Sequence, residues 1–363
     1  MRNKKNIKKT RDERLHRRYL KFKRKQRKRR KSLLGISKLD QAKNDYYHGT
    51  HKDYKKVRAP KTLSLVTNTE ETIKFISKVK EVYEKKKRLF VILRNVDVIE
   101  YDAIILLLSI LIKFKSKKID FNGDFPNNPV ARRILINSNF FKYISDNFPD
   151  QDRYDLIKEG RITTHAQKKV DSELTDSVIK DSSEWVWKEE RRCTGVQRAL
   201  IELMHNTNNH AAFEGAAEKH WWLSVQRRKK DNTACFSFID FGVGIFESLY
   251  NSKGKDSKWY NWKKGMSKFF NFDDDHTELL KLILNGSMHR TVTGKSYRGK
   301  GLPGIYGAFK RNDISRLHII SNDVFADVEN NIFLSLKNEF SGTFVYWEVS
   351  INNNNLEAIQ DED

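Results

Sequence analysis

Glu202-Leu203-Met204-His205-Asn206-Thr207-Asn208-Asn209-His210-Ala211 is the stretch on which the reading of this chain turns. Taken as a helix, it puts Glu202, Asn206 and His210 on one stripe, at i, i+4 and i+8. A carboxylate, a carboxamide and an imidazole in line beside apolar neighbours cost desolvation unless they find partners. A hydrated metal ion is one such partner. A carboxamide oxygen is a hard ligand, and Mg²⁺ takes one or two protein oxygens together with phosphates and waters. A polar stripe facing solvent, or a few satisfied core groups, is the other reading, and for a helix alone the ordinary one.

The residues downstream change the balance. His220 to Arg227 and Thr233 to Asp240 alternate like strands, joined by Arg228-Lys-Lys-Asp-Asn232, whose Asp-Asn pair suits a hairpin. The second strand runs into Asp240-Phe241-Gly242-Val243-Gly244-Ile245, where two glycines let the backbone approach a ligand closely. On its own this pattern fits a turn equally well. Further on stands Arg298-Gly299-Lys300-Gly301-Leu302-Pro303-Gly304-Ile305, whose glycines precede a helix reaching Lys310. Backbone N–H groups at a helix start, with Arg298 and Lys300 beside them, suit an anion. A loop with chance basic residues is the plainer alternative. Ser341 to Ile351 reads as a closing strand behind the Gly342-Thr343 turn.

In this order the four elements resemble the GHKL ATP-binding fold of gyrase B subunits, MutL, histidine kinases and anti-sigma-factor kinases, nearest to the last two. The Glu202, Asn206, His210-Ala211 spacing is similar to the N box. Asp240-x-Gly242-x-Gly244 is similar to the G1 box, and Gly299-x-Gly301-Leu-Pro-Gly304 to the G2 box. The resemblance implies bound ATP and Mg²⁺. It implies that Asn206 coordinates the metal and that Asp240 accepts the adenine amino group, with Thr343 in support. Asn209, His210 and Ile245 would join the nucleotide-binding set, and Gly242 and Gly244 would let base and ribose lie against the backbone. Gly299, Gly301, Leu302 and Gly304 would form the hinge and phosphate side of a lid spanning Glu247 to Tyr297. Arg298 and Lys300 would neutralise phosphate charge. Glu202 matches the carboxylate that, in hydrolysing relatives, deprotonates water. No G-x-x-x-x-G-K-[ST] occurs, so this is not a P-loop chain.

Upstream, strands alternate with helices. Thr62–Val66, Leu89–Leu93 and Ile119–Phe121 read as strands, and Glu70–Lys86, Tyr101–Phe114 and Val130–Asn137 as helices. Val91-Ile-Leu-Arg-Asn-Val96, then Val98-Ile-Glu-Tyr-Asp-Ala-Ile104 leading into a Leu-rich helix, resemble a STAS domain, the fold of anti-sigma-factor antagonists. That resemblance implies a protein-docking module. The family's phosphoserine is absent, and Asp102 stands in its place, which argues against a phosphorylation switch. For Asp102 the simpler role is an acidic residue favourable at a helix N-terminus.

Composition bounds the rest. Of a net charge of +23, residues 1–31 carry +16, eighteen Lys/Arg against Asp12 and Glu13. Such a block is a self-repelling tail whose natural partner is a phosphate backbone, bound without sequence preference, or simply water. Cys193 and Cys235 have neither disulfide nor metal spacing, and Cys235 sits in an apolar run. The longest apolar run, Ala103 to Ile112, is far below the roughly 20 residues of a membrane span. These features lead us to expect a cytoplasmic α/β (α+β) chain. A basic tail (1–56) precedes a small STAS-like α/β domain (57–150). A linker (151–170) leads to a GHKL α/β sandwich with helices on one face of a mixed sheet (171–354), and an acidic tail (355–363) completes the chain.

Three functions fit. The first is a nucleotide-gated regulatory protein that binds a protein partner through the STAS-like domain and hydrolyses ATP slowly or partner-dependently. The second is an anti-sigma-like Ser/Thr protein kinase. The third is a nucleic-acid-associated ATPase or binding protein acting through its tail. Dimerisation is common in GHKL proteins, so a homodimer belongs with these expectations.

Overall fold

The computed structural model describes residues 21, 23, 52–138, 140–144, 161–165, 170–210, 221–246, 276–286 and 301–353. The first unit is a small parallel sheet. Strand β1 (Lys55–Arg58) pairs with β3 (Leu89–Ile92), and β3 with β5 (Phe121–Gly123), all parallel. A second parallel pair joins β2 (Thr62–Leu63) to β4 (Val98–Ile99). Helices α1 (Thr69–Glu84) and α2 (Tyr101–Ser116) are the crossovers. The strand order rises steadily, so right-handed connections put both helices on one face of the three-stranded sheet. Helices α3 (Pro129–Asn137) and α4 (Phe140–Ile144) close the unit, α3 being capped by Asn128, whose side chain accepts from the N–H groups of Val130 and Ala131.

The sequence YDAIILLLSILIKFKS makes α2 apolar on every side, and residues 102–111 are all buried. A helix of that kind needs cover all round. The second unit supplies it. Its five-stranded sheet has the order β6 (Arg161–His165), β7 (Trp221–Arg228), β8 (Thr233–Asp240), β10 (Ile332–Val349), β9 (Ser315–Asp327). One face carries a cross-strand row of Trp222, Ile239, Phe344 and Ile320, none more than 2 % exposed. This row shares one hydrophobic cluster with the apolar residues of α1 and α2. Glu70 of α1 also accepts from the Lys337 N–H of β10 at 2.8 Å. The other face is covered by α5 (Ser172–Trp187), α6 (Thr194–His210), α7 (His276–Leu284) and α8 (Gly301–Lys310), packed over Trp221, Phe236, Phe238, Val345 and Trp347.

Several expectations need correction. The large sheet is antiparallel in all four described pairings, not mixed, because β7–β8 and β9–β10 are hairpins and β10 returns antiparallel beside β8. Residues 161–165, assigned to a linker, are its edge strand β6, where β-branched Ile162, Thr163 and Thr164 suit a strand. Strand β1 begins two residues inside the expected tail, because Val57 is buried while its polar neighbours are exposed. The Thr62 strand ends at Leu63, where the chain turns. Two further features went unread in the sequence, β9 and the first half of β10.

Asp102 is not a free helix-start acid. It is 3 % exposed, and its Oδ2 accepts from the N–H groups of Leu65 and Val66 and the hydroxyl of Ser64, at 3.2–3.3 Å. It therefore satisfies the turn that ends β2. Burial pushes its carboxyl up to about 7, with the Glu100 charge adding and the N–H donors of Ala103, Leu65 and Val66 opposing. On the far end of the same sheet face, Arg228 grips buried Glu348 with two bonds of 2.9 and 2.7 Å, and Arg316 joins at 3.2 Å. Helices α1 and α2 end alike. Lys86 (φ 49°) and Lys118 (φ 56°) take the left-handed conformation after each helix, a choice costing about 1 kcal/mol relative to glycine.

Phe344→Ala removes a fully buried ring from the seam and is expected to cost about 3–5 kcal/mol. In a thermal scan both units should still unfold together; two separated transitions would show that the seam does not couple them. A raised carboxyl pKa contributes stability that is present below the unfolded value and lost as pH rises through the folded one. Wild type should therefore lose stability between about pH 4 and pH 7 through Asp102. In urea titrations Asp102→Asn should gain on wild type by more than ~1 kcal/mol from about pH 5 to pH 8; an unchanged difference contradicts the assignment.

Candidate functional site

A closely knit polar corner lies where β8 ends. Positions 236, 238 and 240 share the helix-covered face of the sheet, so Asp240 comes after two buried phenylalanines on that face. Asp240 is 9 % exposed. Its Oδ1 accepts the Gly242 N–H at 2.8 Å, and the Thr343 hydroxyl and N–H also donate to its carboxylate. Burial pushes the carboxyl up to about 6, and those three donors hold it from rising further. An acceptor that is desolvated yet ionised near neutral pH is suited to a ligand N–H.

Gly342 lets β10 cross this corner. Its φ is +113°, and a Cβ there would lie 2.0 Å from the Asp240 carbonyl oxygen. Gly244 has φ +83°, and its Cβ would meet Asn322 Oδ1 at 2.2 Å. Both positions therefore require glycine. The loop after β8 is tied to β9 by two residues that sequence reasoning missed. Ser321 Oγ accepts from the Ile245 N–H at 2.9 Å and donates to the Gly342 carbonyl at 2.9 Å. Asn322 Nδ2 donates to the Val243 carbonyl at 2.9 Å, and its Oδ1 accepts from the Phe246 N–H at 3.3 Å. The available signal was a Ser-Asn pair inside the otherwise strand-like His318-Ile-Ile-Ser-Asn-Asp-Val-Phe325.

The structure thus brings together Asp240, Gly242, Gly244, Ile245 and Thr343. Glu202 lies half-buried on α6, beside the stripe of Val196, Ala199, Leu200, Leu203 and Met204 that faces the core. No hydrogen bond or ion pair joins Glu202 to the Asp240 corner among the described residues. Asn206, Asn209 and His210 belong to the same helix, but their side chains lie outside the described residues. Helix α8 packs along α6. Gly301, Leu302 and Gly304 were expected to precede that helix. They form its first turn, with Gly301 and Leu302 buried, because Leu302 and Ile305 anchor the helix in the core. Arg298, Gly299 and Lys300 lie outside the described residues, as do the lid residues Trp259, Trp262, 273–275 and 289–291. Within the expected lid segment, where the sequence suggests a helix from Leu279 to Asn285, residues 276–284 are α7, which buries Leu279, Leu280, Ile283 and Leu284, while His276 stacks on Phe246 and meets Asp323 at 2.6 Å.

A cleft of about 220 Å³ opens on the opposite face of the sheet, between Glu100–Asp102 and the Arg228–Glu348 cluster. Its arginines are already bound to Glu348, so it is not part of the Asp240 corner. Among the described residues no group of three or more His, Cys, Asp and Glu is arranged around a metal. A Mg²⁺ held by one carboxamide and by phosphates needs no such group. Cys235 is buried, as its apolar run implied, and burial pushes its thiol up to about 12, so it is not a nucleophile. No helix among the described residues is long and apolar enough to cross a membrane. No protein-family model, no curated protein and no solved structure matches this chain.

The two glycine classes separate by experiment. Gly342→Ala forces a left-handed Cβ into backbone and should cost about 3 kcal/mol or more, read as a fall in the urea midpoint. Gly304→Ala meets nothing within 4 Å and should stabilise α8 by about 0.5–1 kcal/mol. Equal effects of the two substitutions would contradict the corner geometry.

Proposed function

We propose that the chain binds ATP with Mg²⁺ on the helix-covered face of its five-stranded sheet and uses the bound nucleotide to regulate a protein contact. The observation that carries this reading is the Asp240 corner, a buried carboxylate held by Gly242 and Thr343 at the end of a strand, with the loop after it pinned by Gly244 and Gly342. In this reading Asp240 accepts the adenine amino group and the backbone at Gly242 receives the base. Helix α6 presents Asn206 to the metal, and the start of α8 presents N–H groups to the phosphates. Glu202, half-buried on the same helix and carrying no ion pair among the described residues, would orient a water in this reading. Bound Mg²⁺ would neutralise the phosphates, while this chain's own residues would hold the base and exclude solvent.

Regulation is favoured over fast turnover because the first unit is joined to the sheet by a continuous core rather than a loose linker. A change near Asp240 reaches β10, which carries both Thr343 and the seam residue Phe344. Nucleotide binding on one face and protein contact on the other would then be coupled through one strand.

Calorimetry with Mg·ATP is the test. Asp240→Asn and Asn206→Ala should each weaken binding at least tenfold, about 1.4 kcal/mol, with thermal stability retained. Wild-type affinity should also fall as pH drops below about 6, where the Asp240 carboxyl takes up a proton and loses its acceptor role. Labelled ATP then sorts the reaction. Phosphate release lost in Glu202→Ala marks an ATPase, and label on protein a kinase. Absence of ATP binding by the wild type rejects the proposal.

A further inference from the structure

Helix ends and strand starts of the first unit gather at one edge. Strands β1, β3 and β5 are parallel, with Lys55, Leu89 and Phe121 in register, so all three begin together. The helices α1 and α2 return antiparallel to them and end at that same edge. Four basic residues, 85–88 (Lys-Lys-Lys-Arg), close α1, and Lys117-Lys118 close α2, all exposed. Lys55-Lys56 opens β1. Two acids make ion pairs here. Glu81 takes Lys85, and Asp120 takes Arg88. Lys86, Lys87, Lys117 and Lys118 make no ion pair among the described residues.

The helix ends add an independent observation. Both helices close with the same motif. The N–H of Lys87 donates to the Val82 carbonyl and that of Lys86 to Tyr83; the N–H of Ile119 donates to Phe114 and that of Lys118 to Lys115. Glycine is the residue that fits the left-handed position of this motif. Here lysine occupies it twice, at φ 49° and 56°. A cation at a helix C-terminus favours the dipole, but Lys85 and Lys117 already supply one at each end. Positive charge is kept at this edge where backbone geometry favours its removal.

We infer that this edge binds the phosphate backbone of nucleic acid without sequence preference. Three strand starts at ~4.8 Å spacing span roughly 10 Å, about three base-pair rises of ~3.4 Å along a duplex axis. Among the described residues of this edge Asn122 is the one exposed amide, and Tyr54 is half-buried under Arg88, so lysine charge dominates and favours contact with the backbone over base reading. An anionic membrane is disfavoured because the exposed large apolar side chains (Val98, Val130, Ile136, Phe141, Ile332, Leu334, Ile351) lie outside these runs and leave nothing to insert between lipids. Backbone binding at this edge is independent of the Asp240 corner.

The test is fluorescence anisotropy of the full chain with labelled random-sequence duplex DNA, duplex RNA and single-stranded RNA, from about 50 to 200 mM salt. The variant combines Lys86→Gly, Lys118→Gly, Lys87→Gln and Lys117→Gln. The glycines remove charge while suiting the backbone, so the melting temperature should hold or rise. Binding to at least one polymer should weaken at least tenfold, and the slope of log K against log salt should fall by roughly 2–4. A second chain lacking residues 1–31 should keep weak, salt-sensitive binding. An unchanged slope in the folded variant overturns the inference. So does complete loss of binding on deleting residues 1–31, or binding to phosphatidylserine vesicles but to none of the three polymers.

Discussion

Helix α2 has no polar side to turn to water, and the architecture derives from that constraint. Its residues from Asp102 to Leu111 are buried, and the parallel sheet can cover only one flank. The row Trp222, Ile239, Phe344 and Ile320 covers another, and in doing so hides the second face of the five-stranded sheet. Each surface answers a desolvation demand that the other creates. The first unit is therefore a layer of the molecule as much as a domain attached to it. The faces of α1 and α2 nearest the sheet are used internally, so protein contacts of the kind a STAS-like module makes must come from elsewhere on that unit.

The polar groups buried at these two faces find their partners locally. Asp102 serves the N–H groups of the turn after β2, and Glu348 is held by Arg228, Arg316 and Tyr346. Asp240, like Asp102, has only neutral donors among the described residues, from its own loop and from Thr343; what sets it apart is its place at a strand end, between a glycine-bearing loop and a glycine-bearing strand. Among the described residues no cation faces this buried carboxylate, and its position at the mouth of the glycine loop is the reason to look there for a ligand.

Much of this was legible in the residues. The apolar run of α2, the alternating strands β7 and β8 and the capped helix α3 carry their periodicities openly, and Asp240, Gly242, Gly244 and Thr343 stood out by pattern. The pairing of Thr343 with Asp240 needed the sheet register, which a motif does not give. Strand β6 was hidden by charged flanks and by its shortness. Strand β9 was hidden because Ser321 and Asn322 break its alternation, and they do so because both are spent on the 240–246 loop. The misjudged start of α8 has a similar cause. Gly301 and Gly304 read as loop residues, yet Leu302 and Ile305 pull them into the helix.

The central claim is that the Asp240 corner and helices α6 and α8 of the same sheet face form one nucleotide site. Amide hydrogen exchange on the full chain, with and without Mg·ATP, tests it most directly. Exchange should slow together in three segments, 240–246, the end of α6 near 206–210, and the start of α8 at 301–305. Protection confined to other segments, or none at saturating nucleotide, would contradict it.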